Sequence, residues 1–282
     1  MSVPSSSSLG SPLLTVVVLT LNEAARIGRC VRSLRGLPPR TRLVILDSFS
    51  SDETVSVARQ VWSEIGGLEA DFCSVLEEWR GFTRARNRSL ELCSTPWALW
   101  VDADEWLSEG LVEELASLRD WPNEVVVGRM PRLNTFLGRE IRHGGWFPDV
   151  KSRVGRVGRV EWKGGPRGAD VHEDLVAIGD GERRTMRGLL RHEPFRDEAE
   201  QRDTNVRYSA LLAAGLAEKW RDRGFAPPKF FVWGRVVWKF FENYLWKRGC
   251  LDGRPGLRLA LGSAWSLKER YRKAFEIRER GA

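Results

Sequence analysis

Near the start of the chain, Leu14-Thr15-Val16-Val17-Val18-Leu19 is apolar at odd and even positions alike, and this constrains the fold more than any other feature. A strand apolar on both faces must be covered on both, as happens inside a parallel sheet flanked by helices. The pattern returns in Leu43-Val44-Ile45-Leu46 and in Pro96-Trp97-Ala98-Leu99-Trp100-Val101. A shorter strand is expected over residues 72–76, and another at Val125-Val126-Val127.

The intervening segments read as helices. One begins near Glu23, with Ile27, Val31 and Leu34 on one face, and stops near Gly36 and Pro38-Pro39. A second places Val55, Ala58, Trp62 and Ile65 inward, and its Ser50 and Glu53 have capping-box spacing. A third covers residues 84–92, and a fourth starts at Ser108 with Leu111, Leu115 and Leu118 inside. This repeated strand–helix order implies a doubly wound α/β sheet, with ligands at the carboxyl ends of its strands. Residues 139–191 turn Gly-rich and Arg-rich with short strand candidates, and helices resume from Asp197.

The 45 Lys and Arg exceed the 38 Asp and Glu, giving a net charge of +7, a bias towards anionic partners. No nucleic-acid motif accompanies it, so nucleic acid is not an expected partner. Four scattered cysteines, Cys30, Cys73, Cys93 and Cys250, lack metal or redox spacing and read as core thiols of a reducing, cytoplasmic compartment. The run at residues 13–21 lacks the basic flank of a secretory signal, and no apolar stretch approaches the roughly 20 residues that span a bilayer.

The chemistry gathers at strand ends. Asp102-Ala103-Asp104-Glu105 follows a buried strand directly. Carboxylates this close repel unless a cation joins them, and oxygen ligands suit Mg2+ or Mn2+, which can bridge a diphosphate. Thr20-Leu21-Asn22-Glu23 and Asp47-Ser48-Phe49-Ser50-Ser51-Asp52 close the first two strands. Their polar groups suit a base and a ribose, although Asn22 and Ser50 would also serve as helix caps. Of the arginines before the carboxylate strand, Arg84 and Arg86 are the candidates for gripping a diphosphate.

Together with Gly81 and Ala85-Arg86-Asn87, these segments resemble family 2 glycosyltransferases. His143-Gly144-Gly145-Trp146-Phe147-Pro148-Asp149, Val171-His172-Glu173 and Gly249-x-Leu251-Asp252-Gly253 resemble the branch containing the lipopolysaccharide core β-1,4-glucosyltransferases. The resemblance implies a GT-A-type, Rossmann-like doubly wound mixed sheet with an α-helical C-terminal region. It also implies a UDP-sugar donor, UDP-glucose first, a divalent metal, and inversion at the anomeric carbon during transfer to a glycan or lipid-linked acceptor. Asn22, Glu23 and Asp47 would meet the nucleoside, Asp102 the ribose and Asp104 the metal, with His172 a second metal candidate. Inversion needs a general base, for which Glu173 is the first choice and Asp149 the second. The expected organisation is a disordered tail over 1–12 and a catalytic domain over 13–195, its nucleotide-sugar half at 13–133 and its acceptor-side half at 134–195. A helical region over 196–282 completes it.

Two positions depart from the branch. Phe49 stands where a small residue is usual, and Arg153-Val154-Gly155-Arg156 where Arg-Leu-Phe-Arg is typical. Residues 230–246 would form a helix apolar around most of its girth, with Arg235, Lys239, Asn243 and Lys247 every fourth residue. Trp beside basic residues suits the inner-membrane surface, and packing on the rest of the protein suits the same helix. Two other readings compete: a sugar nucleotidylyltransferase, which lacks its glycine-rich basic loop here, and a non-catalytic membrane-binding protein.

Overall fold

Strands β1 (Leu14–Thr20), β2 (Arg42–Asp47), β3 (Phe72–Leu76) and β4 (Trp97–Asp102) lie parallel in the order β3-β2-β1-β4 in the computed structural model, which describes residues 11–164 and 173–280. The expected tail over 1–12 falls almost wholly outside the described residues. The double-sided apolar pattern has its cause in two cores, one on each face of the sheet. Val16, Val18, Leu43 and Ile45 meet Ile27 and Val31 of α1 (Ala24–Arg32) and Ala58, Val61 and Trp62 of α2 (Thr54–Glu64). On the other face Val17, Val44, Ala98 and Trp100 pack with Trp162 and Leu175, and with Leu90 of α3 (Phe82–Glu91). Register sets the strand ends side by side, since Thr20 pairs with Asp47 and Leu19 with Asp102.

Beyond β4 the sheet becomes antiparallel. The chain continues through β5 (Glu105–Leu107), α4 (Glu109–Ala116), β6 (Val125–Phe136), β7 (Arg139–Ile141) and β8 (Asp149–Arg156). It then forms β9 (Val160–Lys163), β10 (Asp174–Ala177), β11 (Glu182–Thr185) and β12 (Leu190–His192). β8 runs between β4 and β6, antiparallel to both, and β12 lies antiparallel to β5. β6 is far longer than the three residues expected. Its Gly128 and Pro131 look like breakers, but a register shift at Gly128 and Arg129 absorbs the irregularity as a bulge. Ser108 caps α4 as its spacing predicts, accepting from the Leu111 N–H at 3.3 Å.

The capping box expected at Ser50 and Glu53 does not form. Instead one carboxylate, Asp52, caps two helices, accepting from the N–H of Ala24 in α1 and that of Thr54 in α2, both at 3.1 Å. These bonds hold the Asp52 carboxyl below its usual pKa, the Thr54 hydroxyl contributing most. Asn22 caps nothing either. Its Oδ1 accepts from the Ser51 N–H at 2.8 Å, and so ties the two turns together.

Leu133–Pro148 and Glu193–Ala282 form a second compact unit, apart from the one built on the sheet. It holds β7, the end of β6 and the helices α5 (Glu198–Asp222), α6 (Lys229–Phe241) and α7 (Gly253–Arg280). Ala213, Ala217, Ala264 and Ala274 keep these helices close, and Trp220 stacks on Tyr271 at 5.9 Å. Asp197 caps α5 by accepting from Ala199 and Glu200 N–H at 2.8 and 2.9 Å. Within this unit the His143 and Asp252 motifs meet. The buried Asp252 accepts from the His143 N–H at 2.9 Å and lies 2.8 Å from His143 Nδ1. Among the described residues no helix is long and apolar enough to cross a membrane.

The unusual Gly155 has a packing cause. A Cβ there would stand 2.7 Å from Val160 Cγ2 and 3.0 Å from Leu175 Cδ2, so glycine lets the β9–β10 hairpin settle on β8. Gly155→Ala should therefore cost about 1–3 kcal/mol by overpacking, measured as a lowered urea midpoint. Val160→Ala, combined with it, should return part of that loss, and additive losses would refute the contact.

Candidate active site

The carboxylate run occupies the step from β4 to β5, where a rigid strand end fixes Asp102 and Glu105 returns into the sheet. Three acidic groups within four residues raise a repulsion that local sequence cannot relieve. Guanidinium groups from elsewhere relieve it. Arg153 of β8 donates through Nη2 to Asp102 at 2.5 Å and to Glu105 at 3.1 Å. Arg86 of α3 donates to Asp102 at 2.9 Å and, through Nε, to Glu173 at 3.1 Å. Arg132 of β6 bridges Glu105 at 3.0 Å and Asp149 at 2.6 Å, and Lys151 adds a second cation to Asp149 at 3.0 Å.

Among the described residues this chain contains four cations, Arg86, Arg132, Lys151 and Arg153, and four carboxylates, Asp102, Glu105, Asp149 and Glu173. Its formal charge is zero. Burial drives the Asp102 carboxyl up, but Arg153, Arg86 and Arg132 outweigh it and hold the group well below the usual carboxylate range. Asp149 follows the same rule, burial being outweighed by Arg132 and Lys151.

Asp104 stands apart. Among the described residues it is the member of the run paired to no arginine, and its Oδ2 lies 3.4 Å from Nε2 of His192, at the end of β12. Both side chains remain partly open, 24% for Asp104 and 12% for His192. Sequence reasoning missed His192; its signal is slight, one of three histidines, two residues after the apolar Leu189-Leu190. Arg132 and Arg153 were missed as partners too. His172, the metal candidate from sequence, lies outside the described residues. No cluster of three or more His, Cys, Asp or Glu suited to a metal occurs among the described residues. An oxygen and a nitrogen donor facing each other fit Mg2+ or Mn2+ only as part of a shell completed by substrate oxygens and water, the usual habit of Mg2+.

The arginines expected at a diphosphate lie elsewhere. Arg84 points outward from α3, while Arg86 is 1% exposed and committed to Asp102 and Glu173, because Ala85, Arg86 and Ser89 form the buried face of that helix. The Ala85-Arg86-Asn87 motif is an internal fastening. Asn87 pairs through its amide with the backbone N–H and C=O of Trp162, at 2.9 and 2.8 Å, and the Trp162 ring lies 4.6 Å from the Arg86 guanidinium.

Asp47 is also turned inward. It is 2% exposed and accepts from Thr20 Oγ1 at 2.7 Å, Ser50 N–H at 2.8 Å and Ser50 Oγ at 2.6 Å. The carboxylate thus organises the two turns that the sequence marks for a nucleoside. Glu23 pairs with Arg26 at 2.6 Å, and its N–H donates to Thr54 Oγ1. Asn22 and Phe49 both adopt left-handed backbone, with φ of 56° and 62°. That explains why a small residue is usual at position 49, since a bulky side chain is disfavoured there. The Phe49 ring is 62% exposed at the mouth of these turns.

A model of Glycosyl transferase family 2 matches residues 15–166. The lipopolysaccharide core biosynthesis glycosyltransferase LpsC of Rhizobium meliloti (strain 1021) is 30% identical over 270 residues, 92% of this chain and 93% of its own length. Among solved structures, S. aureus TarS 1–349 in complex with UDP aligns with 96% of this chain and 92% of that one, at 15% identity and a TM-score of 0.45. The mannosyltransferase PcManGT from Pyrobaculum calidifontis, in complex with GDP-Man and Mn2+, covers 96% and 76% at 16% identity and a TM-score of 0.44. The chain belongs to glycosyl transferase family 2. It is an enzyme, a glycosyltransferase with a GT-A-type mixed sheet and C-terminal helices, which sets aside the nucleotidylyltransferase and non-catalytic readings.

Removing one member of a buried ion network strands the others. Arg153→Met should cost about 3–5 kcal/mol in urea unfolding, and a loss below 1 kcal/mol would count against the network as described. The acid limb follows from Asp102 and Asp149. Both have folded pKa values below the unfolded value of about 3.9, so the stability they confer is complete above that pH and is lost as pH falls through the folded values. The urea midpoint should stay level between about pH 7 and 5 and drop below about pH 4, less steeply in Asp102→Asn.

Proposed function

We propose that the protein transfers a hexose, glucose first among candidates, from a UDP-sugar to a lipid-linked glycan of the lipopolysaccharide core, with inversion, at the cytoplasmic face of the membrane. Family membership supports a sugar-transfer reaction. The relationship to LpsC over nearly the full length of both chains supports a core-glycan acceptor. The observation that carries the reading is the division of the acidic run. Asp102 and Glu105 are neutralised by arginines, whereas Asp104 is paired to no arginine among the described residues and faces His192 at 3.4 Å.

In this reading Asp104 and His192 hold Mg2+ or Mn2+, His172 remaining a further candidate ligand. The ion, when bound, offsets the negative charge on the departing diphosphate. Thr20, Asn22, Glu23 and Ser48 frame the nucleoside, Asp47 fixes their turns from within, and Asp102 braces the ribose side. Glu173 takes the proton from the acceptor hydroxyl as its oxygen bonds to the anomeric carbon and the bond to the diphosphate breaks. Glu173 is preferred to Asp149 because Asp149 carries two cations that weaken it as a base, while Glu173 has one, Arg86, which aims it.

Asp104→Ala should lose at least about a hundredfold in turnover while keeping its melting temperature, and its stabilisation by UDP-glucose should no longer respond to Mn2+. Glu173→Gln should keep the UDP-glucose thermal shift yet lose about 10²–10⁴ in kcat. Normal transfer by Asp104→Ala would sink the reading, and normal transfer by Glu173→Gln would remove the base.

A further inference from the structure

Helix α6, Lys-Phe-Phe-Val-Trp-Gly-Arg-Val-Val-Trp-Lys-Phe-Phe over Lys229–Phe241, is apolar on the face it buries and on the face it leaves in water. With residues 100° apart around the axis, Val232 and Val236 point into the helical core. The opposite arc carries Phe230, Trp233, Val237, Trp238 and Phe241, exposed by 78, 57, 51, 61 and 45%. Leu245 and Trp246, just past the last turn, are exposed by 54 and 80%. Soluble monomers rarely leave so much contiguous apolar surface uncovered without using it.

Charge narrows the occupant. Lys229 and Arg235 flank the apolar arc on its two sides, Lys268 of α7 lies 5.2 Å from the Trp233 ring, and α6 contains no Asp or Glu. A second copy meeting this face through a twofold contact would set cations against cations. An anionic bilayer surface answers every part of the pattern, because indole and phenyl rings settle at the acyl boundary while Lys and Arg reach the headgroups. Thirteen residues span about 20 Å, short of the roughly 30 Å hydrocarbon core. The helix therefore lies in the plane of the interface.

We infer that the outer face of α6, with Trp246 beyond it, docks the protein on anionic lipid. The inference deepens the proposed function, supplying the surface on which a lipid-linked acceptor is met, and rests on that reading only for the acceptor. The test needs no substrate. Full-length protein is floated with phosphatidylcholine vesicles containing or lacking a quarter phosphatidylglycerol. Binding should favour the anionic vesicles and weaken as salt rises.

The pair Phe230→Glu and Trp238→Glu, on exposed positions outside the catalytic residues, should lower vesicle binding at least tenfold. It should leave melting temperature and transfer to a water-soluble acceptor unchanged. Lys229→Gln with Arg235→Gln should erase the preference for anionic vesicles. Vesicle binding equal in wild type and the Glu pair would overturn the inference. So would a wild-type dimer that the Glu pair dissolves, since the face would then join two copies. Vesicle binding without any sugar transfer would leave the inference standing and defeat the proposed function instead.

Discussion

The contact between Arg153 and the pair Asp102 and Glu105 governs the catalytic unit. Two carboxylates three residues apart at a buried strand end would repel by several kcal/mol at a protein-like dielectric, and β4 could not end there unaided. Arg153 reaches both from the neighbouring strand, Arg86 and Arg132 take the remaining oxygens, and the chain closes neutrally at Glu173 and Asp149. Positioning follows from that neutrality. Glu173, just before β10, is tied through Arg86 to Asp102 at the end of β4, two residues before Asp104, so two separate parts of the chain share one framework. Asp104 stands outside that framework, facing His192.

The parallel half of the fold was legible because its evidence is local. Two-sided apolar strands and one-sided helices each declare themselves within a dozen residues, and the cores on either face of the sheet bear out that reading. The helix starts were misread where capping is not local. Asp52 caps α1 from 28 residues away, and Ser50 is engaged by Asp47 rather than by its own helix. Spacing rules describe a side chain folding back on its own backbone, and they are blind to a partner on the next turn over. The same limit hid the ion network, whose pairs span separations such as 51 residues between Arg153 and Asp102. Sequence showed the repulsion among the acidic residues and set Asp104 apart from Asp102, but not the arginines that neutralise Asp102 and Glu105.

The two departures from the family pattern have different physical characters. Gly155 is permissive: losing a side chain on β8 makes room for Val160 and Leu175, so the hairpin whose second strand follows Glu173 seats directly on the sheet. Phe49 is costly, because a bulky residue holds a left-handed backbone that glycine would adopt freely. Such strain persists only where surroundings over-determine it, and here Thr20 O accepts from the Ser48 N–H before it while Asp47 and Asn22 fasten Ser50 and Ser51 after it. An exposed ring at the mouth of these turns is a different surface from the one a small residue leaves.

In the second unit, sequence left open whether residues 230–246 pack or meet a bilayer, and burial separates the positions that pack from those that do not. A helix apolar around most of its girth with a few basic residues fits a packed core or a bilayer surface equally well, since both reward apolar area. Packing in the helical core uses Val232 and Val236 of α6, with Phe240 partly buried beside them, against Ala213 and Ala217 of α5 and Ala264 of α7. The larger rings are left over, on the far side from that core. Most of their area takes no part in that core, although Lys268 of α7 lies 5.2 Å from the Trp233 ring. An apolar arc bordered by Lys229 and Arg235 has the chemistry of the lipid-docking face inferred above, since rings settle at the acyl boundary and basic groups reach acidic headgroups.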